Sequence, residues 1–183
     1  MGYIQIVAVT LVFLEFISVS EMKPQFGNAV PEAPRGPSRP TECPGGFVFI
    51  SGRCYLFSVL LGLEHRTQSQ AKLYCQSRGT DFYSVDLITM GRGGASEGDT
   101  VLQYIKDNGL ADPNMYIGAD KSGSSYSWVD GRPLSVNSFL WVNNEPAGDE
   151  CVFINSGHPD NTKRFHIEDV QCNAGFGFAC EMF

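Results

Sequence analysis

No two of the six cysteines lie within four residues of one another, and the chain has only three histidines, His65, His158 and His166. Structural zinc needs ligands at such short spacings, so the pattern excludes the common zinc modules. The stretch Gly91–Gly94 has no lysine and serine where a phosphate-cradling loop requires them. No serine sits in a nucleophile elbow, which leaves hydrolytic catalysis without its usual signature. Glu145 and Glu168 could be drawn as a glycosidase pair, but these acids are better explained as cation ligands. No Asn-x-Ser/Thr sequon occurs, so N-glycosylation is not expected. Past the first twenty residues no apolar run is long enough to span a bilayer.

What is present starts with the cysteines: Cys43, Cys54, Cys75, Cys151, Cys172 and Cys180, an even set behind an apolar leader. Oxidising compartments preserve disulfides and the cytosol does not, so the set predicts a secreted, cross-linked domain, with fifteen pairings open on sequence alone. Residues 1–20 read as a signal peptide: an apolar block from Ile4 to Leu14, then Ser18-Val19-Ser20 before Glu21, although the first residues carry no Lys or Arg and Glu15 interrupts the apolar run. Removing them takes one acid and no base, so the formal charge moves from −7 to −6. That negative balance opposes nucleic acid and anionic membranes and favours cations such as calcium or a mineral surface. Residues 21–42 hold five prolines and few large apolar side chains, which marks a proline-rich linker. The stretch has no heptad pattern that would trimerise the chain. One folded domain over 43–183 is left.

Inside that domain Thr67 predicts a helix cap, with Ala71, Tyr74, Cys75 and Arg78 at helical spacing and Gly79 as a left-handed stop. A second helix is expected from about Asp99 to Asn108, ended by Gly109. Residues 115–118, 126–129, 151–154 and 177–181 read as strands, and Asp130-Gly131 as a tight turn. Phe47, Phe49, Tyr55, Phe57, Phe139 and Trp141 are expected in the core.

These residues resemble the C-type lectin-like domain family across Cys43 to Phe183. The resemblance is carried by Cys43-Pro44-Gly45-Gly46-Phe47, Cys54-Tyr55, Ala71 to Cys75, Leu87, Tyr116-Ile117-Gly118-Ala119, Trp128-Val129-Asp130-Gly131, Trp141 before Glu145-Pro146, and Phe178-Ala179-Cys180-Glu181. It implies an α+β fold with two helices, mixed antiparallel strands, a long loop region and three disulfides, Cys43–Cys54, Cys75–Cys180 and Cys151–Cys172. In sugar-binding members one calcium is held by a Glu-Pro-Asn or Gln-Pro-Asp loop, an acid shortly before a cysteine, and an Asn-Asp pair before its disulfide partner. The matching positions are Glu145-Pro146-Ala147, Asp149, and Glu168-Asp169. The resemblance therefore implies Ca²⁺ and carbohydrate binding at Glu145, Asp149, Glu168 and Asp169. Two departures bear on sugar. Ala147 supplies neither a ligand oxygen nor an amide donor, and ionised Glu168 only accepts hydrogen bonds. The loop from Glu145 to Cys151 is also about four residues shorter than in many sugar binders of the family.

The sequence thus predicts a secreted, extracellular, non-enzymatic module that binds glycans or glycoproteins through calcium. The alternative is a non-sugar role in protein binding or in an extracellular or mineralised matrix.

Overall fold

The computed structural model describes residues 42–92, 94–111 and 114–183. The signal-peptide and linker expectations fall outside it, except at Glu42. No described helix is long and apolar enough to cross a membrane.

The chain enters through a hairpin of β1 (Val48–Ile50) and β2 (Arg53–Phe57), turned by Ser51 and Gly52, both at positive φ. Two positive φ values match the right-handed twist of the flanking strands. A short 3₁₀ turn, Ser58–Leu61, leads to α1 (Gln68–Gln76). Thr67 caps α1 in a full capping box: its hydroxyl accepts from Gln70 N while the Gln70 side chain accepts from Thr67 N. Then come β3 (Val85–Leu87), α2 (Ala95–Asp107), β4 (Asn114–Ser122), β5 (Ser125–Trp128), β6 (Pro133–Leu134), β7 (Cys151–Asn155), β8 (His166–Val170) and β9 (Gly177–Met182). Strands β1-β2-β9-β4-β5-β6 run side by side, with β3 also on β9, β7 on β4 and β8 on β7. β9 is central, antiparallel to β2 and β3 and parallel to β4. The rest of the sheet is antiparallel, so the fold is the expected α+β one.

Period-two alternation divides the core. Tyr55 and Phe57 of β2 join Val101 and Ile105 of α2 in one cluster, and Cys54 and Leu56 join Ala71 and Cys75 of α1 in the other. A strand covered on both faces reads as a continuous apolar run. Disulfides join Cys43 to Cys54, Cys75 to Cys180, and Cys151 to Cys172, with Cα separations of 5.5, 5.4 and 5.1 Å. The second ties α1 to the central strand.

Four expectations need correction. Gly79 is not left-handed. The helix ends at Ser77, whose hydroxyl donates to Tyr74 O, and an added Cβ on Gly79 would sit 3.3 Å from two carbonyl oxygens, so tight packing places the glycine. α2 begins four residues earlier than expected, at Ala95. Phe49 and Phe139 are 52% and 76% exposed. Phe49 is the middle residue of β1 and faces outward, and Phe139 rides on the loop ahead of Trp141. Trp141 itself is buried, edge-on to Tyr126, with Nε1 donating to Ser135 O.

Candidate functional site

The four acids named from the sequence lie on two segments that β7 and β8 bring together. β7 pairs antiparallel with β8, placing Val152 opposite Asp169 and Phe153 opposite Glu168, and the Cys151–Cys172 disulfide closes the end. The segment before β7, Glu145 to Glu150, folds back over Asp169.

Asp169 is 9% exposed and acts as the hub of this loop. Its Oδ1 accepts from Ala147 N at 2.8 Å, and its Oδ2 from Gly148 N at 2.6 Å and Asp149 N at 2.5 Å. The Tyr126 hydroxyl lies 2.6 Å from Oδ2 and 2.8 Å from Asp149 O, and its single proton can serve only one of them at a time. Three consecutive backbone N–H groups converging on one carboxylate form a nest, an arrangement whose positive dipole ends hold an anion. The Ala147 N–H is shared with Glu145 Oε2 at 2.9 Å. Lys121 Nζ donates to Gly148 O and pins the outside of the same loop.

The other acids are arranged differently. β8 alternates, burying Ile167 and Asp169 and leaving His166, Glu168 and Val170 half-buried. Glu168 thus leaves its strand on the opposite face from Asp169, and its Oε1 accepts from Asn155 Nδ2 at 2.9 Å. Asp149 is half-buried and, with Gly148, Glu150, Gln171, Cys172 and Asn173, lines an open polar cleft of about 500 Å³.

Proton affinities follow from this geometry. Burial, then the neighbouring Asp169, push the Glu145 carboxyl up to about 7, and Glu168 adds to the rise through its charge. Burial also works to raise Asp169. Hydrogen bonds from protonated Glu145, from Tyr126 and from the amides of Ala147 and Gly148 outweigh it and hold Asp169 down at about 2. The two carboxyls thus share one proton, carried by Glu145. The Tyr126 hydroxyl is raised by burial and by Asp169.

A pH dependence follows. Native Glu145 holds a proton that an unfolded chain releases near its ordinary value of 4.5. Stability from this group is therefore full below 4.5 and is lost as pH rises through about 7. Asp169 acts in the opposite sense, its contribution being present above the ordinary 3.8 and lost as pH falls toward about 2. Thermal melts should show Tm falling between pH 5 and pH 8, and Glu145→Gln should flatten that fall. An unchanged slope in the variant would refute the shared proton.

The family resemblance implies calcium, and the residues do not fit it in this arrangement. Among the described residues no group of three or more His, Cys, Asp or Glu side chains stands where it could hold a metal ion. Calcium takes six to eight oxygens. Here Asp169 is already satisfied by N–H dipoles whose positive ends would face an arriving cation, and Glu168 is turned to Asn155. The family resemblance grouped the acids but gave no sign of the nest or of Tyr126. Backbone amides leave no mark in a sequence, and Tyr126 reads only as a strand residue.

With nine described strands, two helices, three disulfides and this folded-back loop in view, the class is plain. Residues 64–182, more than half of the chain, match the lectin C-type domain family, and the chain belongs to it. It is similar to lithostathine-1 of Mus musculus, 27% identical over 150 residues, covering 79% of this chain and 81% of that protein. It is also similar to a lectin of Polyandrocarpa misakiensis, 26% identical over 132 residues, covering 68% of this chain and 94% of the other. The crystal structure of human lithostathine superimposes with a TM-score of 0.59 at 26% identity, covering 84% of this chain and 97% of that one.

Proposed function

We propose that this protein is a secreted recognition module that works by binding and not by catalysis, and that it engages its ligand without a calcium ion in the loop of Glu145 to Glu150. The observation that carries the reading is the nest of Ala147, Gly148 and Asp149 amides closed on Asp169. In calcium-binding relatives of this fold the metal would organise that loop; here an internal carboxylate supports the same task. Ala147 agrees with this, since it offers no side-chain oxygen to a metal and no donor to a sugar hydroxyl. Suitable partners are matrix proteins, glycoproteins or a mineral surface.

One observation favours the second reading, calcium-dependent glycan binding through Glu145, Asp149, Glu168 and Asp169. The Glu145 carboxyl is raised to about 7 beside other acids, and a cation would relieve such crowding.

Calorimetric titration of the oxidised protein with Ca²⁺ separates the two. The expected result is no saturable heat up to millimolar Ca²⁺ and no shift of Tm on adding chelator. Saturable binding abolished by Asp169→Asn would overturn the calcium-free reading and restore the glycan mechanism.

A further inference from the structure

The proline series ahead of the domain has a strict period. Pro31, Pro34, Pro37 and Pro40 recur at every third residue, and residues 35–41 carry two arginines, Arg35 and Arg39, and no acid. A polyproline II helix has three residues per turn, so prolines at this period fall on one edge of it and the side chains between them on the others. The series runs directly into Glu42 and Cys43.

At that junction the domain has a groove of about 590 Å³, within the size range of ligand clefts. Its apolar lining comes from Pro44, Phe82, Tyr83 and Met182, and its two charged lining residues, Glu42 and Asp81, are both acids. The Cys43–Cys54 disulfide fixes the start of the domain to β2. Opposite in sequence, the turn before β3 is held by Thr80, whose N–H donates to Tyr83 O at 2.9 Å and whose hydroxyl accepts from Phe82 N at 3.3 Å and Tyr83 N at 3.2 Å. Tyr83 packs against the core cluster of α1, whereas Phe82 is 77% exposed. Asp81 makes no ion pair among the described residues, where every ion pair belongs to Arg53, Arg92 or Arg132.

We propose that this groove is filled by the chain's own residues 37–41, docked as a polyproline II strap with Pro37 and Pro40 on the rings of Phe82 and Tyr83 and Arg39 directed to Asp81. Aromatic-lined grooves are the surfaces that Pro-x-x-Pro segments recognise, because the preformed helix loses little entropy on docking. The charges are complementary: the groove lining offers acids and no base, and the segment offers a base and no acid. The segment ends at Glu42, which itself lines the groove, so no linker is needed to reach it. Such a short tether supplies an effective concentration of about millimolar, which a weak contact requires. A proline segment from a second copy has the same chemistry without that advantage, and an acidic peptide or anionic membrane would meet Glu42 and Asp81. The inference goes beyond the proposed function and depends neither on calcium nor on the loop of Glu145 to Glu150.

The test is NMR on the isotope-labelled, oxidised full chain in chelator. Nuclear Overhauser contacts are expected from the Phe82 and Tyr83 rings to Pro37 and Pro40, and Phe82→Ser should weaken those of Tyr83 with Tm unchanged, since the replaced ring lies at the surface. A synthetic peptide of residues 31–41 should perturb Phe82 and Tyr83 of the variant Pro37→Ser/Pro40→Ser at a concentration about tenfold or more below that needed for wild type, whose groove is already filled. No ring-to-proline contact, or an equal peptide response of wild type and variant, would overturn the proposal. Contacts found only between differently labelled copies would overturn it too, and would give the groove to a partner copy. Detection of calcium by calorimetry would remove the calcium-free reading of the other loop and leave this strap in place.

Discussion

Replacing Glu181 by alanine is expected to lower stability by about 3–5 kcal/mol, the usual cost of stranding a buried charge partner. Glu181 lies on β9, is fully buried, and takes donors from three directions. Its Oε2 accepts from Thr89 N at 3.0 Å and Thr89 Oγ1 at 2.8 Å, and its Oε1 from Arg53 Nη1 at 3.2 Å. Arg92 Nε stands 3.5 Å away. Arg53 continues the network through Nε, 2.8 Å from Glu97 Oε1, which also accepts from the Tyr55 hydroxyl at 2.7 Å. Burial raises Glu181, while Thr89, Arg92 and Arg53 work against that rise. One carboxylate therefore joins β2, β9, the start of α2 and the segment after β3. In the alanine variant Thr89 N, itself buried, loses its acceptor along with two guanidinium groups. Guanidinium chloride unfolding with the disulfides intact measures the change. Glu181→Gln, which keeps one acceptor oxygen, should lose less, and a midpoint unmoved in the alanine variant would refute the network's role. Domains have about 5–15 kcal/mol in total, so this one change consumes a large share.

Gly118→Ala is expected to cost about 3 kcal/mol or more, at the upper end of overpacking penalties. A Cβ added to Gly118 would stand 2.6 Å from Leu87 O, 2.8 Å from Val129 Cγ2 and 3.1 Å from Leu87 C. Two of these three neighbours are backbone atoms of β3, which cannot swing aside as a side chain would. The glycine is there for close approach: its N–H donates to Ile88 O and its carbonyl accepts from Val129 N, both at 2.8 Å, so β4 is clamped on two sides. Gly45→Ala is the control, because its added Cβ meets nothing within 4 Å and surface changes of that kind stay within about 0.5 kcal/mol. Equal midpoints for the two variants would refute the packing argument.

Gly118 also shows what a sequence makes legible. The motif Tyr116-Ile117-Gly118-Ala119 pointed to the family, and Thr67 and Gly109 marked a helix start and a helix end because capping chemistry is local. β8 was not legible as a strand. Its inward positions are Ile167 and Asp169, so a buried acid broke the apolar alternation that announces strands. The early start of α2 was hidden as well, since Gly94 precedes it at φ 109 with no side-chain cap. At the site the acids could be grouped, but their occupation could not: what satisfies Asp169 is main chain, and main chain is the same at every position. The exposure of Phe139 was equally silent, because composition cannot say on which side of a loop an aromatic ring will fall.

The central position of β9 bears on biogenesis. This strand is the last of the nine to leave the ribosome, yet β2, β3 and β4 all hydrogen-bond to it. The N-terminal hairpin with its Cys43–Cys54 link can form on the nascent chain, being local. Cys75 has no such option: its partner lies 105 residues downstream, so its thiol stays available for exchange until translation passes Cys180. The enclosed loop is long, and chain-entropy models give such a bond about 4–5 kcal/mol. The step that completes the sheet is therefore also the one most exposed to mispairing, and a premature stop between β4 and β9 leaves three strand edges open at once.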